Sequence, residues 1–139
     1  MKNVLIMALY ILYSVGLLVA SPGQAIDSNQ DGEPDQWYEV VEGHIEQVSM
    51  DSNFDSRIDY KVIYDPKHRK VYEEMDFNFD GEMDDFYFFD EGKLIRQEID
   101  SNFDGQVDIW VYLDGLYILK YEMDSDFDGA VDVVKDYQQ

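Results

Sequence analysis

Residues 100–123 read DSNFDGQVDIWVYLDGLYILKYEM. A polar loop with Asp at 100, 104 and 108 leads into IWVYL, Asp114-Gly115 interrupts, and LYILKYEM follows. Both apolar stretches are short and rich in β-branched and aromatic residues, and Asp-Gly between such stretches is a hairpin signal. Tyr117, Leu119, Tyr121 and Met123 share one parity while Lys120 and Glu122 take the other, which is the period of a strand. The unit is therefore loop, strand, turn, strand.

That unit recurs. DSNQDGEPD (27–35), DSNFDSRID (51–59), DFNFDGEMD (76–84) and DSDFDGAVD (124–132) align without gaps to DSNFDGQVD (100–108), with starts 24, 25, 24 and 24 residues apart. A fixed period marks a repeat architecture. The residue before each first Asp is apolar: Ile26, Met50, Met75, Ile99 and Met123. A helix between loops would need about ten uninterrupted residues, and Gly43, Pro66, Gly92 and Gly115 halve every interval. The expected fold is all-β, a meander of about nine antiparallel strands made of 24-residue hairpin repeats, with loops along one edge and short turns along the other. The strands after the loops are apolar on both parities, Ile109, Val111 and Leu113 against Trp110 and Tyr112, and such strands ask for cover on both faces. The sheet is expected either to curl towards a barrel or to pack against a second copy.

The first 25 of the 139 residues have the layout of an export signal: Lys2, an apolar run from Val4 to Ala20, and small residues at Gly23 and Ala25. Cleavage there leaves one five-repeat domain, residues 26–139, in the periplasm or outside the cell, with no membrane contact after cleavage. The alternative is a retained anchor, because a run of 17 residues is at the lower limit for spanning a bilayer. Cysteine is absent, so disulfides cannot staple this small domain, and metal is the natural substitute. All 31 acidic residues follow position 26, and with Lys2 removed the charge is 9 − 31 = −22. Such a surface repels nucleic acid and anionic lipid. A composition 45% hydrophobic and 15% aromatic excludes a disordered acidic tail.

Calcium takes six to eight oxygens at about 2.3–2.6 Å, and positions 1, 3, 5, 7 and 9 of an acidic loop supply them in order, position 7 through its backbone carbonyl. The expected ligands are Asp27, Asn29, Asp31, Glu33 and Asp35 in the first loop, and Asp51, Asn53, Asp55, Arg57 and Asp59 in the second. The third offers Asp76, Asn78, Asp80, Glu82 and Asp84, and the fourth Asp100, Asn102, Asp104, Gln106 and Asp108. The fifth offers Asp124, Asp126, Asp128, Ala130 and Asp132. Position 6 must turn sharply and is Gly32, Gly81, Gly105 and Gly129 in four loops. Ser56 stands there in the second, expected to be the weakest site, whereas Asp126 adds a carboxylate and affinity to the fifth. Asp, Asn and Gly favour turns by themselves, but that does not explain Asp at positions 1, 5 and 9 of every copy, since neighbouring carboxylates repel without a cation. Up to five Ca2+, about 10 Å apart along the edge, would take −22 to −12. Folding is expected to depend on metal, with affinities in the weak extracellular range of roughly 10⁻⁴ to 10⁻³ M.

The D-x-[DN]-x-D-G core resembles the EF-hand loop family, dockerins included, but that family's bidentate Glu at position 12 is replaced by Tyr38, Val62, Tyr87, Val111 and Lys135. With Asp at position 9 followed by a strand, the loops resemble the calcium hairpin loops of integrin alpha chains and FG-GAP proteins. That resemblance covers the nine-residue loops alone and implies Asp, Asn or Asp, Asp, a backbone oxygen and Asp as ligands, without implying a propeller. The hairpin-per-repeat plan is similar in spirit to MORN-like meanders, and the whole chain looks like exported bacterial proteins with tandem DxNxDGxxD repeats.

The expected function is a calcium-binding exported repeat protein in which Ca2+ staples the hairpins, a structural or binding module and not an enzyme. The regularly placed carboxylates are claimed by metal, and no Cys or Ser-His constellation stands beside them. One alternative is a carbohydrate or surface adhesion module using Trp37, Tyr38, Phe86, Trp110 and Tyr112 as stacking groups, against their ordinary role in strand packing. Another is an acid-base hydrolase, which abundant carboxylates always invite. Apolar strands such as FYFF and IWVYL suggest self-association through sheet edges, beside a protein or glycan partner. His44 and His68 lie at or near turns and read as solvated turn residues.

Overall fold

The computed structural model describes residues 21–138. They form ten strands in one sheet whose spatial order is the sequence order, every neighbour antiparallel. These are β1 (Ser21–Ile26), β2 (Gln36–Val41), β3 (His44–Met50), β4 (Tyr60–Tyr64), β5 (Lys70–Met75), β6 (Asp85–Asp90), β7 (Lys93–Ile99), β8 (Ile109–Asp114), β9 (Tyr117–Met123) and β10 (Val133–Asp136). The acidic loops join β1–β2, β3–β4, β5–β6, β7–β8 and β9–β10 at one edge. The opposite edge carries the short turns. Glu42-Gly43 and Glu91-Gly92, with φ of 52° and 84° and of 48° and 80°, have both central residues left-handed, as a two-residue type I′ hairpin turn requires. The hairpins also repeat an irregularity, a register shift at Glu39/Val40, Ile63/Tyr64, Phe88/Phe89 and Tyr112/Leu113.

The all-β antiparallel meander is as expected, and two details differ. The strands number ten rather than about nine, because Ser21–Ile26 pairs with β2 through Gln24↔Tyr38, Ala25↔Trp37 and Ile26↔Gln36. The expected cleavage point after Ala25 thus falls within β1, and residues 1–20 of the expected signal lie outside the described residues. Secondly, the sheet is open: β1 pairs only with β2 and β10 only with β9, so no barrel closes.

Strands apolar on both faces stand without a second layer because side chains on the same face cover one another. Phe88 lies 5.4 Å from the Tyr72 ring, and the Arg96 guanidinium sits 4.1 Å from its centroid. Lys120 lies over Tyr112 at 5.3 Å and Lys70 over Phe89 at 5.8 Å. The charged ends of these basic side chains thus cover the ring faces in cation–π contacts. Among the described residues the buried hydrophobics are Val62 and Val111, and most of the other strand aromatics are half-buried. Glu73 and Glu74, neighbours that face opposite ways, are both 8% exposed. Glu73 accepts hydrogen bonds from Tyr60 at 2.8 Å and Lys70 at 2.5 Å, and Glu74 accepts one from Tyr72 at 2.5 Å and pairs with Lys61. Such partners are what make buried charge tolerable.

Candidate metal-binding loops

The loop edge is organised by ten aspartates, each continuing a strand by one residue. Within a loop the position 9 amide donates to the carbonyl just before position 1, as Asp35 does to Ile26 at 2.9 Å and Asp108 to Ile99 at 2.9 Å. Between loops the position 1 amide donates to the previous position 9 carbonyl: Asp51 to Asp35, Asp76 to Asp59, Asp100 to Asp84 and Asp124 to Asp108, at 2.8–2.9 Å. The backbone ladder thus carries the row Asp27, Asp35, Asp51, Asp59, Asp76, Asp84, Asp100, Asp108, Asp124 and Asp132 across the sheet. All but the terminal two are buried, at 2–5% exposure. Two unit charges one strand spacing apart, about 4.8 Å, repel by about 3.5 kcal/mol at an effective dielectric of about 20.

Each loop counters this with its own amides. In the first four loops the position 1 carboxylate accepts the position 4 amide at 2.6–2.7 Å and the position 6 amide at 2.7–2.9 Å. The fifth keeps the second bond, Gly129 to Asp124 at 2.7 Å. The amides converge because position 4 is left-handed in all five loops, at Gln30, Phe54, Phe79, Phe103 and Phe127, with φ of 61–64°. The position 5 carboxylate accepts the amide of position 7 at 2.8–3.0 Å, so Glu33, Arg57, Glu82, Gln106 and Ala130 turn an N–H inward while their side chains lie exposed. In loops one to four the position 3 Asn donates through Nδ2 to the position 5 carboxylate at 2.8–3.2 Å.

Position 9 closes the loop. Asp35, Asp59 and Asp108 accept both the amide and the hydroxyl of Ser28, Ser52 and Ser101, at 2.7–2.9 Å. Asp132 does the same with Ser125, at 3.1 and 2.7 Å. In the third loop Phe77 stands at position 2, and Asp84 keeps only amide donors. Burial pushes the Asp84 carboxyl up. The same burial at Asp35 is outweighed by the Ser28 hydroxyl and the amides, which hold that carboxyl below its usual value. The position 2 serines are thus loop-closing residues that ligand counting overlooks, although their recurrence in four loops is visible in the sequence. Position 7 side chains reach forward as well. Arg57 donates to the Asp80 carbonyl, and its guanidinium would lie 2.7 Å from a Cβ at Gly81, while Glu82 would lie 3.2 Å from one at Gly105. Glycine at position 6 therefore serves the positive φ, and at Gly81 and Gly105 it also leaves room for the neighbouring loop's side chain.

Two observations bear on a cation. The donor groups are oxygens throughout, and Asp35 Oδ1, in a residue 3% exposed, is buried without a hydrogen-bond partner. Asp35 lines a cleft between the first two loops with Asn29, Asp31 and Asp51, and the cleft between the last two is lined by Asp104, Asp108 and Asp124. In the fifth loop Asp126 replaces the Asn donor, and carboxylate oxygens of Asp124, Asp126 and Asp128 lie within 4.8 Å of one another. That cluster can hold a metal ion. The charge of Asp128 pushes the Asp126 carboxyl up, whereas amides of Gly129, Asp128 and Phe127 overcome burial at Asp124 and hold its carboxyl down. Asp132, tied to Ser125, stands apart from that triple. These residues have an electrostatic need that a hard cation meets, and they fit calcium by donor type.

Of the aromatics that the adhesion alternative names, the pleat puts Trp37, Phe86, Trp110 and Tyr112 on one face and Tyr38 on the other. No protein-family model matches the chain, and no curated protein sequence does. Among solved structures, accessory secretory protein 1,2 and 3 in Streptococcus pneumoniae is similar, with a TM-score of 0.51 and 14% identity. The match covers 76% of this chain and 19% of that one, and it shows likeness of fold.

Proposed function

We propose that this chain is an exported calcium-binding repeat protein, periplasmic or extracellular, in which up to five Ca2+ ions staple neighbouring hairpins and hold a rigid sheet. It serves as a structural or binding module rather than an enzyme, engaging a protein or glycan partner or a second copy. The reading rests on the buried aspartate row, with one oxygen orphaned at Asp35 and three carboxylates converging in the fifth loop. A sheet with so little buried hydrocarbon has little else to offset chain entropy, so charge neutralisation at its edge carries unusual weight. The fifth loop binds first and the second, with Ser56, last. Calorimetric titration of CaCl2 into the chelator-stripped chain, with thermal unfolding followed by circular dichroism, tests this. Heat from several sites and a rise in melting temperature are expected. An unchanged melting temperature without calcium uptake overturns it.

A further inference from the structure

The turn edge, remote from the aspartates, joins successive hairpins side chain to side chain. Arg69 bridges to Glu91 at 3.3 Å, and Lys93 pairs with Asp114. The remaining rung is different: His44 Nδ1 lies 3.1 Å from His68 Nε2, with ring centroids 4.9 Å apart and planes at 61°. Two bases meet where the other rungs set cation against anion. The geometry points to a second class of metal site, in which His44 and His68 chelate one nitrogen-preferring divalent cation of the Zn2+ or Cu2+ type.

Nitrogen–metal bonds of about 2.05 Å with nitrogens 3.1 Å apart subtend about 98° at the metal, between the square-planar and tetrahedral values that such ions adopt. Turn geometry fixes the backbone at both residues. His44 follows the Glu42-Gly43 turn directly. His68 is left-handed, with φ of 59°, and its amide donates to the Asp65 carbonyl at 2.9 Å. Asp65 is not a spare third ligand, because it accepts the amides of Lys67 and Arg69 at 2.8 and 2.9 Å and the Arg69 guanidinium at 2.8 Å. The protein therefore supplies two ligands from an exposed edge, and water completes the coordination. These are the only two histidines in a chain without cysteine. Borderline cations thus have one nitrogen chelate to choose, while hard cations keep to the oxygen loops. The residues are 24 apart, one repeat period, which brings equivalent points of adjacent hairpins together.

The test is ZnCl2 titration of the full chain in excess CaCl2, which keeps the acidic loops occupied and separates this site from the calcium reading. Imidazole resonances in the NMR spectrum are expected to shift together at one Zn2+ per chain. His44→Gln and His68→Gln should each weaken binding at least about tenfold, the scale of losing even a supporting group at a metal site, with circular dichroism unchanged. Imidazole resonances that ignore Zn2+, or a His44→Gln/His68→Gln double variant that binds it as tightly as the parent, overturn the assignment and leave the pair as an N–H···N hydrogen bond.

Discussion

Asp108 isolates the loop-closing role of position 9 from the role towards calcium proposed for it. It is 2% exposed, and its Oδ2 accepts the amide and hydroxyl of Ser101, both at 2.9 Å. Hydrogen bonds to a charged acceptor contribute about 1.5–3 kcal/mol each. Ser101 is exposed and its freed donors reach water, so Asp108→Ala should cost about 3 kcal/mol, towards the lower sum. For a domain of this size that lowers the melting temperature by roughly 10 °C. Asp108→Asn relieves the same charge as the alanine, in a row whose neighbours are Asp100 and Asp124, but keeps an oxygen facing Ser101 with both bonds at neutral strength. In chelator its cost should therefore be about 1 kcal/mol or less. In saturating calcium the order of the two variants should persist, while Asp108→Asn should lose part of the calcium-induced stabilisation expected of the parent. Urea unfolding of the three proteins, with chelator and with CaCl2, measures all of this. If alanine and asparagine at 108 prove equally stable in chelator, the bonds to Ser101 do not close the loop and the reasoning fails.

Ser56 is held at φ of 71° where the other loops have glycine, and relief of a left-handed penalty of about 1–2 kcal/mol, less glycine's entropic cost of about 0.5–1 kcal/mol, should make Ser56→Gly more stable; a lower urea midpoint would contradict this. Phe77 is 57% exposed and stands where other loops place the serine that donates to position 9; Phe77→Ser should gain about 1 kcal/mol from the restored bond to Asp84, again read from denaturant midpoints. Burial first, then hydrogen bonds to Glu74 and Asp85, raise the ionisation of Tyr72 and Tyr87 well above the usual phenol value. A group whose folded pKa is raised lends stability that is whole below its unfolded value and fades as pH rises, so unfolding free energy should fall above about pH 10. Tyr72→Phe and Tyr87→Phe should blunt that slope, and a slope unchanged in the double variant would refute the attribution.

Much of the fold is legible because the chain repeats. Asp at positions 1 and 9, an apolar residue before each loop and a Gly or Pro halfway between loops state the strand, its ends and its partners, since a 24-residue period leaves room only for a tight hairpin. The acidic loop positions are legible by the same alignment. Less visible is what each of these residues does within its own loop. Position 9 bonds to a serine seven residues earlier, and Asn29 donates to Asp31 rather than only accepting, contacts that exist because left-handed residues fold the loop on itself. The sequence also carries Phe86, Phe88, Trp110 and Tyr112 as apparent demands for a second layer.

The sequence by itself therefore determined the repeat, the strand order, the oxygen-rich edge and the net charge, all of which are local or periodic properties. Only the tertiary structure decided that the sheet stays open, because whether Arg96 and Lys120 lie on neighbouring rings depends on cross-strand register. It also decided that His44 and His68 meet. Two residues 24 apart touch only when the strands between them pair in one particular register, and that alignment belongs to the assembled sheet rather than to either turn.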